Sequence, residues 1–304
     1  MTVRMRSWTW QKASIASVAI AIVLAIAAGA AGAADTPRWI VFSATSPGTI
    51  PAQLFRIQSN GEGLEQLTTG SYSSLAPNFS ADGNRIVFVR AGVGILSMNV
   101  DGTGLHRLTT NARDSYPTFS PDGKQVAFVR PFKDGWKLHV MSSSGAGERA
   151  LAKAPPSGRP TWTTGGLIIP SGGDLLKIDP KTGHVLKYYD VPIDAVWGMN
   201  SVALSPDRST ITYTGARSPE PGDMECGEGP CQRFALYKQS TLKNRKPQRV
   251  IKDGGPATFS PNGKQLAFVY NGGLTLWSLA TGAHTSVSTG DAYPTVSAPP
   301  AWQP

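Results

Sequence analysis

A short turn motif recurs along the chain, and its spacing limits the folds that the chain can adopt. Each of the five copies begins with Ser or Thr; three have Pro next, four have Asp or Asn at the third position, and four end in Gly. The copies start at Ser80, Ser120, Thr163, Ser205 and Ser260, with successive spacings of 40, 43, 42 and 55 residues. A period of about 40–45 residues is typical of the four-stranded blade of a β-propeller.

The chemistry of the motif fits a tight hairpin turn between two strands. Pro presets φ for the first central position, Asp or Asn tolerates the next position, and Gly accepts a positive φ. Thr164 and Arg208 depart from this pattern, so looser turns are predicted there. In the unit that opens at Pro117, strands are predicted at 117–120, 125–130, 137–142 and 148–152.

A count of the units predicts how the ring closes. Complete units are predicted to begin near Pro77, Pro117, Pro160, Met199 and Pro256. The segment from 38 to 69 contains a second, third and fourth strand but no first strand, whereas 299–304 resembles a first strand alone. Joined, these segments complete a six-bladed, all-β propeller over residues 35–304. The segment 292–297 also resembles a first strand and is the alternative closing strand.

The first 34 residues have the pattern of an export signal. Arg4, Arg6 and Lys12 precede the apolar run 13–30, and small residues follow that run. This order is typical of a secretory signal peptide, although the run is nearly long enough to serve as an uncleaved membrane anchor. We therefore expect a periplasmic or extracellular protein, with membrane attachment only if the segment is retained.

Charge and cysteine content bear on two points, the expected partners and a predicted disulfide. The formal charge of +9 falls to +6 when the first 34 residues are removed, and the basic stretch 243–249 is interpreted as a solvated loop. We expect no nucleic-acid partner, because no aromatic residues are interleaved with these basic residues. Cys226 and Cys231 are a close pair in an exported chain, so a disulfide is predicted.

The units resemble a known propeller family. The stretch from "PTFSPDGKQVAFVR" through "LHVMSSSGAGERAL", in 117–151, resembles the WD-repeat-like units of TolB-type β-propellers. The resemblance implies the fold, and it concerns the propeller part alone, because only the predicted export segment precedes the first strand. Similar propellers precede peptidase domains of the prolyl oligopeptidase family, but the sequence has no G-x-S-x-G motif.

Oligogalacturonate lyases are similar propellers that bind a metal in the channel, so we considered the histidines. His106, His184 and His284 are predicted on outer fourth strands and His139 on a third strand. Partly exposed surface histidines are expected rather than channel ligands. Asp82, Asp122 and Asp207 are assigned to local bonding within the turns. We therefore predict no catalytic residue, metal site or cofactor.

Loops that enter the inner strands are predicted to cluster at one end of the channel, which we call the loop mouth. They carry aromatic and charged residues of the kind that binding surfaces use. The candidates are Tyr72, Arg113, Asp114, Tyr116, Arg159, Asp194, Trp197, Asp291 and Tyr293. The alternative, favoured for Tyr116 and Tyr293, is that the aromatic rings wedge between blades.

The sequence thus predicts an exported, monomeric binding or scaffold module that recognises an unidentified envelope or extracellular protein through the loop mouth. The acidic insertion 215–233 is either part of that recognition surface or a solvated loop. The alternative function is a lyase-like enzyme or carbohydrate-binding propeller that uses the channel.

Overall fold

The computed structural model describes most of the chain beyond the predicted export segment. The described residues are 36–46, 51–151, 156, 158–171, 174–189, 201–216, 234–240, 248–295 and 299–304. They contain β-strands and no helix, and Arg38–Pro304 forms one compact unit. The predicted export segment lies outside the described residues. In the described part of the chain, no helix is long and apolar enough to cross a membrane.

The chain first forms three strands and then two complete blades. The first three are β1 (Trp39–Thr45), β2 (Gln53–Gln58) and β3 (Glu65–Gln66). Blade 1 contains β4 (Ser74–Phe79), β5 (Arg85–Arg90), β6 (Gly94–Asn99) and β7 (His106–Arg107). Blade 2 contains β8 (Ser115–Phe119), β9 (Gln125–Phe132), β10 (Gly135–Ser142) and β11 (Arg149–Leu151).

Three further blades follow, and each is an antiparallel sheet in sequence order. Blade 3 contains β12 (Thr161–Thr163), β13 (Gly166–Ser171), β14 (Asp174–Ile178) and β15 (Val185–Tyr189). Blade 4 contains β16 (Val202–Leu204), β17 (Thr210–Ala216), β18 (Phe234–Ser240) and β19 (Gln248–Lys252). Blade 5 contains β20 (Ala257–Phe259), β21 (Gln265–Tyr270), β22 (Gly273–Ser278) and β23 (His284–Val287).

The sixth blade joins the two ends of the propeller. Two short strands, β24 (Tyr293–Pro294) and β25 (Ala301–Trp302), both pair with β1. Trp302 lies opposite Ile40, and Pro294 lies opposite Ala44, so the two segments pair with opposite ends of one strand. The prediction that Trp302 closes the ring is confirmed, and the alternative segment contributes to the same sheet.

Apolar side chains hold neighbouring blades together. Each of the six interfaces between neighbouring blades contains its own cluster of buried apolar residues. The second strands supply both sides: Val87 packs towards blade 2, whereas Ile86 and Phe88 pack towards the sixth blade. This explains why the second strands have apolar residues on both faces, and it confirms the six-bladed fold.

The recurrent turn is held by the same three hydrogen bonds in several copies. In the copy at Ser120, the hydroxyl donates to Asp122 Oδ1 at 2.5 Å and accepts from the backbone N–H of Gln125 at 2.9 Å. Asp122 Oδ1 also accepts from the backbone N–H of Lys124 at 3.1 Å. These bonds lower the pKa of Asp122, with the bond from Ser120 as the largest cause. The assignment of the turn carboxylates to local bonding is confirmed.

The serine of this turn can be tested by one substitution. Ser120→Ala should lower the free energy of unfolding by about 1–2 kcal/mol, because the buried hydroxyl satisfies two groups that would lose their partner. Urea denaturation measures this change. Ser144→Ala, at an exposed loop serine, should change the free energy by less than about 0.5 kcal/mol. Equal effects of the two substitutions would contradict the role assigned to the turn.

Candidate binding site in the central channel

The inner strands enclose a cavity in the channel. Its volume is about 390 Å³, within the range of small-molecule pockets. Residues of all six inner strands or their flanks line it, and polar and apolar atoms contribute about equally to its walls. The exposed lining residues Ala81, Pro121 and Pro304 follow inner strands, at the end of the channel where the recurrent turns lie. We call this end the turn mouth, and the cavity opens there.

Arg159 lines the opposite, closed end of the cavity. It directly precedes Pro160 and β12, and its side chain is 94% buried, since only 6% of its surface is accessible. Its Nη2 donates to the carbonyl oxygen of Pro77 at 2.9 Å, which connects blade 3 with blade 1. Its Nη1 is buried and has no hydrogen-bond partner. Arg159 has the one charged side chain among the described residues that line the cavity.

Burial alters the ionisation of this arginine without neutralising it. Removal of the guanidinium from water lowers the pKa of Arg159 to about 10. The group therefore remains a cation at neutral pH. A buried cation with an unpaired N–H group favours an anionic acceptor beside it.

A bulge in the inner strand of blade 1 positions the acceptor of Arg159. Ala76 has a φ of 54°, and the register of β4 against β5 shifts between Leu75 and Asn78. Blade 2 repeats this geometry at Tyr116, with a φ of 53°. A left-handed conformation costs a residue other than glycine about 1–2 kcal/mol. The repeated bulge is therefore a specific feature of the inner strands beside the channel.

Polar side chains also connect neighbouring inner strands. Asn78 Oδ1 accepts from the backbone N–H of Phe119 at 2.9 Å, which connects blades 1 and 2. Thr161 Oγ1 donates to the carbonyl oxygen of Val202 at 2.5 Å, which connects blades 3 and 4. These groups already have partners within the protein, whereas Nη1 of the lining residue Arg159 is buried and has none.

A network of charged groups lies at the interface between blades 1 and 2. Asp114 is completely buried, and its two carboxylate oxygens accept from Nε and Nη2 of Arg130 at 2.5 and 2.8 Å. Arg130 Nη1 also donates to Glu148 at 2.5 Å. The bond to Asp114 is the largest cause that raises the pKa of Arg130. Asp114 is thus occupied within its blade and does not lie on the protein surface.

His139 extends the network, and its environment corrects one expectation. It lies on β10 as predicted, but only 5% of its surface is accessible, so the expectation of a partly exposed histidine was wrong for this residue. It stacks with Phe128 and Phe132, at ring-centroid distances of 5.2 and 5.9 Å. Its Nδ1 lies 3.1 Å from Glu148 Oε1. Burial is the largest cause that lowers the pKa of His139.

The remaining candidates of the loop mouth differ in exposure. Tyr72 and Tyr293 are 53% and 55% exposed, so neither ring is wedged between blades. Tyr116 is half-buried and packs against two inter-blade clusters, as the wedge alternative describes. Arg113 and Asp291 are exposed. Arg159 alone extends into the channel cavity.

Several predicted groups lie outside the described residues. These are Asp194, Trp197, most of the acidic insertion, and the cysteines Cys226 and Cys231, so their predicted roles stay predictions. Within the described ranges, no three His, Cys, Asp or Glu side chains are grouped to hold a metal ion. His106 and His284 lie on fourth strands, and His184 directly precedes one.

Sequence reasoning missed the channel cavity itself. It assigned Arg159 to the loop mouth from its position before an inner strand, but side-chain length and the bulge at Ala76 carry the guanidinium into the channel. The sequence feature that could have indicated the position of Arg159 is an arginine directly before the proline of a short inner strand. The sequence did not indicate which way its side chain would extend.

The closed ring of four-stranded sheets around a lined channel defines a six-bladed β-propeller. Residues 23–165 match the TolB beta propeller domain. The Tol-Pal system protein TolB of Francisella tularensis is 28% identical over 112 residues, which are 35% of this chain and 26% of that protein. The chain is thus similar to TolB-type β-propellers over just under half of its length, and it spans about a quarter of the length of this relative.

Solved structures share the fold at low identity. TolB from Acinetobacter baumannii superposes with a TM-score of 0.65 at 18% identity, over 88% of this chain and 67% of that chain. An oligogalacturonate lyase in complex with manganese superposes with a TM-score of 0.54 at 9% identity, over 82% of this chain and 73% of that chain. At these identities the likeness is one of fold alone.

A comparison of Asp114 with Asp291 tests whether the buried pair with Arg130 stabilises the fold. Asp114→Asn should lower the free energy of unfolding by about 2–3 kcal/mol, because it removes a buried charge-assisted pair with Arg130. Asp291→Asn is the matched control, since Asp291 also lies two residues before a Tyr-Pro pair but is exposed. Its effect in urea denaturation should be within about 0.5 kcal/mol. A larger loss at Asp291 than at Asp114 would contradict the assignment.

Proposed function

We propose that the chain is an exported, non-enzymatic binding or scaffold module that recognises a protein partner through its loop mouth. The observation that carries the proposal is a set of exposed aromatic side chains on the loops of that mouth. We call this set the aromatic arc; it consists of Tyr72, Phe132, Trp136 and Tyr293. Similarity to proteins named as TolB of the Tol-Pal system supports a partner in the cell envelope.

The aromatic arc follows the ring from the sixth blade to blade 2. Tyr293 begins the first closing strand, β24, and Tyr72 precedes β4. Phe132 and Trp136 flank the hairpin between β9 and β10. Because loops before first strands and hairpins after second strands share one end of an antiparallel blade, all four rings belong to the loop mouth. They make up half of the large apolar side chains that are exposed in the described residues.

Charged groups lie among these rings. The Lys137 ammonium lies 4.5 Å from the ring centroid of Phe132 and 3.1 Å from the Asp134 carboxylate. Arg113 and Asp291 add further exposed charges on loops of the same mouth. Large aromatic rings surrounded by charged groups are the composition of the few residues that dominate protein–protein affinity.

The N-terminal sequence supports export. The order of basic residues, apolar run and small residues in 1–34 is that of a secretory signal. Retention of this segment as an anchor is the alternative form of the same proposal, and both forms present the propeller outside the cytoplasm.

A photo-crosslinking comparison tests the proposed surface. A photoreactive residue at position 136 should crosslink to a specific envelope protein, whereas the same residue at position 188, on the outer strand β15, should not. Tyr188 is the matched control because it is also aromatic and exposed. Introduction of Tyr72→Ser and Tyr293→Ser should reduce the yield at position 136 at least about tenfold, since interface aromatics contribute about 2 kcal/mol or more.

Two outcomes would contradict the proposal. One is an equal crosslink pattern at positions 136 and 188, which would indicate nonspecific contact. The other is product formation when the purified protein is incubated with acidic polysaccharide, which would favour the lyase-like alternative. Circular dichroism of each variant verifies that the propeller is folded in the comparison.

A further inference from the structure

The cavity at the turn mouth contains buried donors that have no acceptor. Arg159 Nη1 and Trp302 Nε1 both belong to lining residues, are buried, and have no hydrogen-bond partner. Both are N–H groups that donate and cannot accept. An unsatisfied buried donor costs about 1–3 kcal/mol, so two such groups in one cavity call for an explanation.

The charge of the lining selects the kind of ligand. Arg159 is positive, and the described lining residues contain no Asp or Glu to neutralise it. A single guanidinium with one unpaired nitrogen matches one negative charge, and carboxylate is the group that arginine pairs with most readily in proteins. A phosphate dianion would need more positive charge than the described lining supplies.

The residues that line the cavity also indicate which kind of molecule carries the carboxylate. Phe79, Phe119, Leu204, Pro299 and Pro300 line the cavity with apolar surface. The hydroxyl of Thr161 already donates to a backbone carbonyl. A carboxylate on a short apolar body would place its charge beside Arg159 and its body against these apolar side chains.

We propose that the channel is a binding site for a carboxylate carried on an apolar body, with Arg159 Nη1 as the principal donor and the Trp302 indole N–H as a second donor. The carboxylate enters through the turn mouth and reaches the closed end of the cavity. This site does not depend on the loop-mouth proposal, because the cavity opens at the turn mouth and none of the four rings of the aromatic arc lines it.

The proposal also gives the strained inner strand a role. The bulge at Ala76 presents the Pro77 carbonyl oxygen to Nη2 of Arg159. This bond fixes one side of the guanidinium and leaves Nη1 unpaired. The protein thus holds the cation in place before a ligand arrives, which reduces the entropy lost on binding.

The test uses the full chain and 4-phenylbutyrate as the probe. Titration should shift the indole N–H resonance of Trp302 in the nitrogen-15 NMR spectrum of the wild-type protein. Isothermal titration calorimetry gives the affinity, and Arg159→Gln should weaken binding at least about tenfold. Arg249→Gln, at an exposed arginine of the outer strand β19, is the matched control and should leave the affinity unchanged.

Further probes identify the recognised group and its source. The neutral 4-phenylbutyramide and sodium chloride at equal ionic strength should produce no Trp302 shift. Binding of N-acetyl-Ala-Glu-Ala-amide more tightly than the free acid would assign the carboxylate to a peptide side chain, and the reverse order would assign it to a small organic acid. Either order supports the carboxylate site.

Three results would overturn the proposal. They are no binding of any carboxylate at millimolar concentration, an equal response to the amide or to chloride, and unchanged affinity in the Arg159→Gln variant. If Arg159→Gln fails to fold, the Trp302 shift in the wild-type protein and the comparison of acid with amide still decide the matter.

Discussion

The pairing of β1 with two segments near the C-terminus is the interaction on which the rest of the structure depends. Without it, blade 5 and blade 1 would each expose an apolar face, and β1 would be an open edge. Residues far apart in sequence meet there: Gln303 N–H donates to the Trp39 carbonyl at 2.8 Å, and Gln303 Nε2 donates to the Gly83 carbonyl at 3.2 Å. The closed ring holds the inner strands parallel around the channel, and both proposed surfaces require that arrangement.

The sequence predicted the architecture well because the fold repeats the same local chemistry. Four of the five copies of the turn combine Ser with Asp or Asn at a fixed separation, and the hydrogen bonds follow from that separation. Closure was also predictable, since Trp302, like Phe119, has a Pro two positions before it and another two positions after it. What the pattern did not show is that Tyr293-Pro294 pairs with β1 as well. A two-residue strand has too little periodicity to reveal itself.

Side-chain roles were less predictable, because they depend on the neighbouring strand. Asp114 and Asp291 have the same local sequence, yet Asp114 is buried because Arg130 at the end of β9 reaches it. The corresponding end of β1 carries Ala44, Thr45 and Ser46, with no cation. The burial of Arg159 was likewise not predictable from the local sequence, because it arises from contacts with blade 1. Burial lowers the pKa of Arg159 to about 10, so keeping this cation in the folded protein is costly.

Ring closure can be measured directly at one amide. Gln303 is the second-last residue of the chain, and an amide so near a terminus normally exchanges its hydrogen at the rate of an unstructured peptide. If the Gln303 N–H is bonded to Trp39 in the closed ring, its exchange should be slowed at least about a hundredfold and should accelerate only with global unfolding. Exchange at the unstructured rate, while amides of β5 and β9 stay protected, would contradict closure and with it the account of the channel.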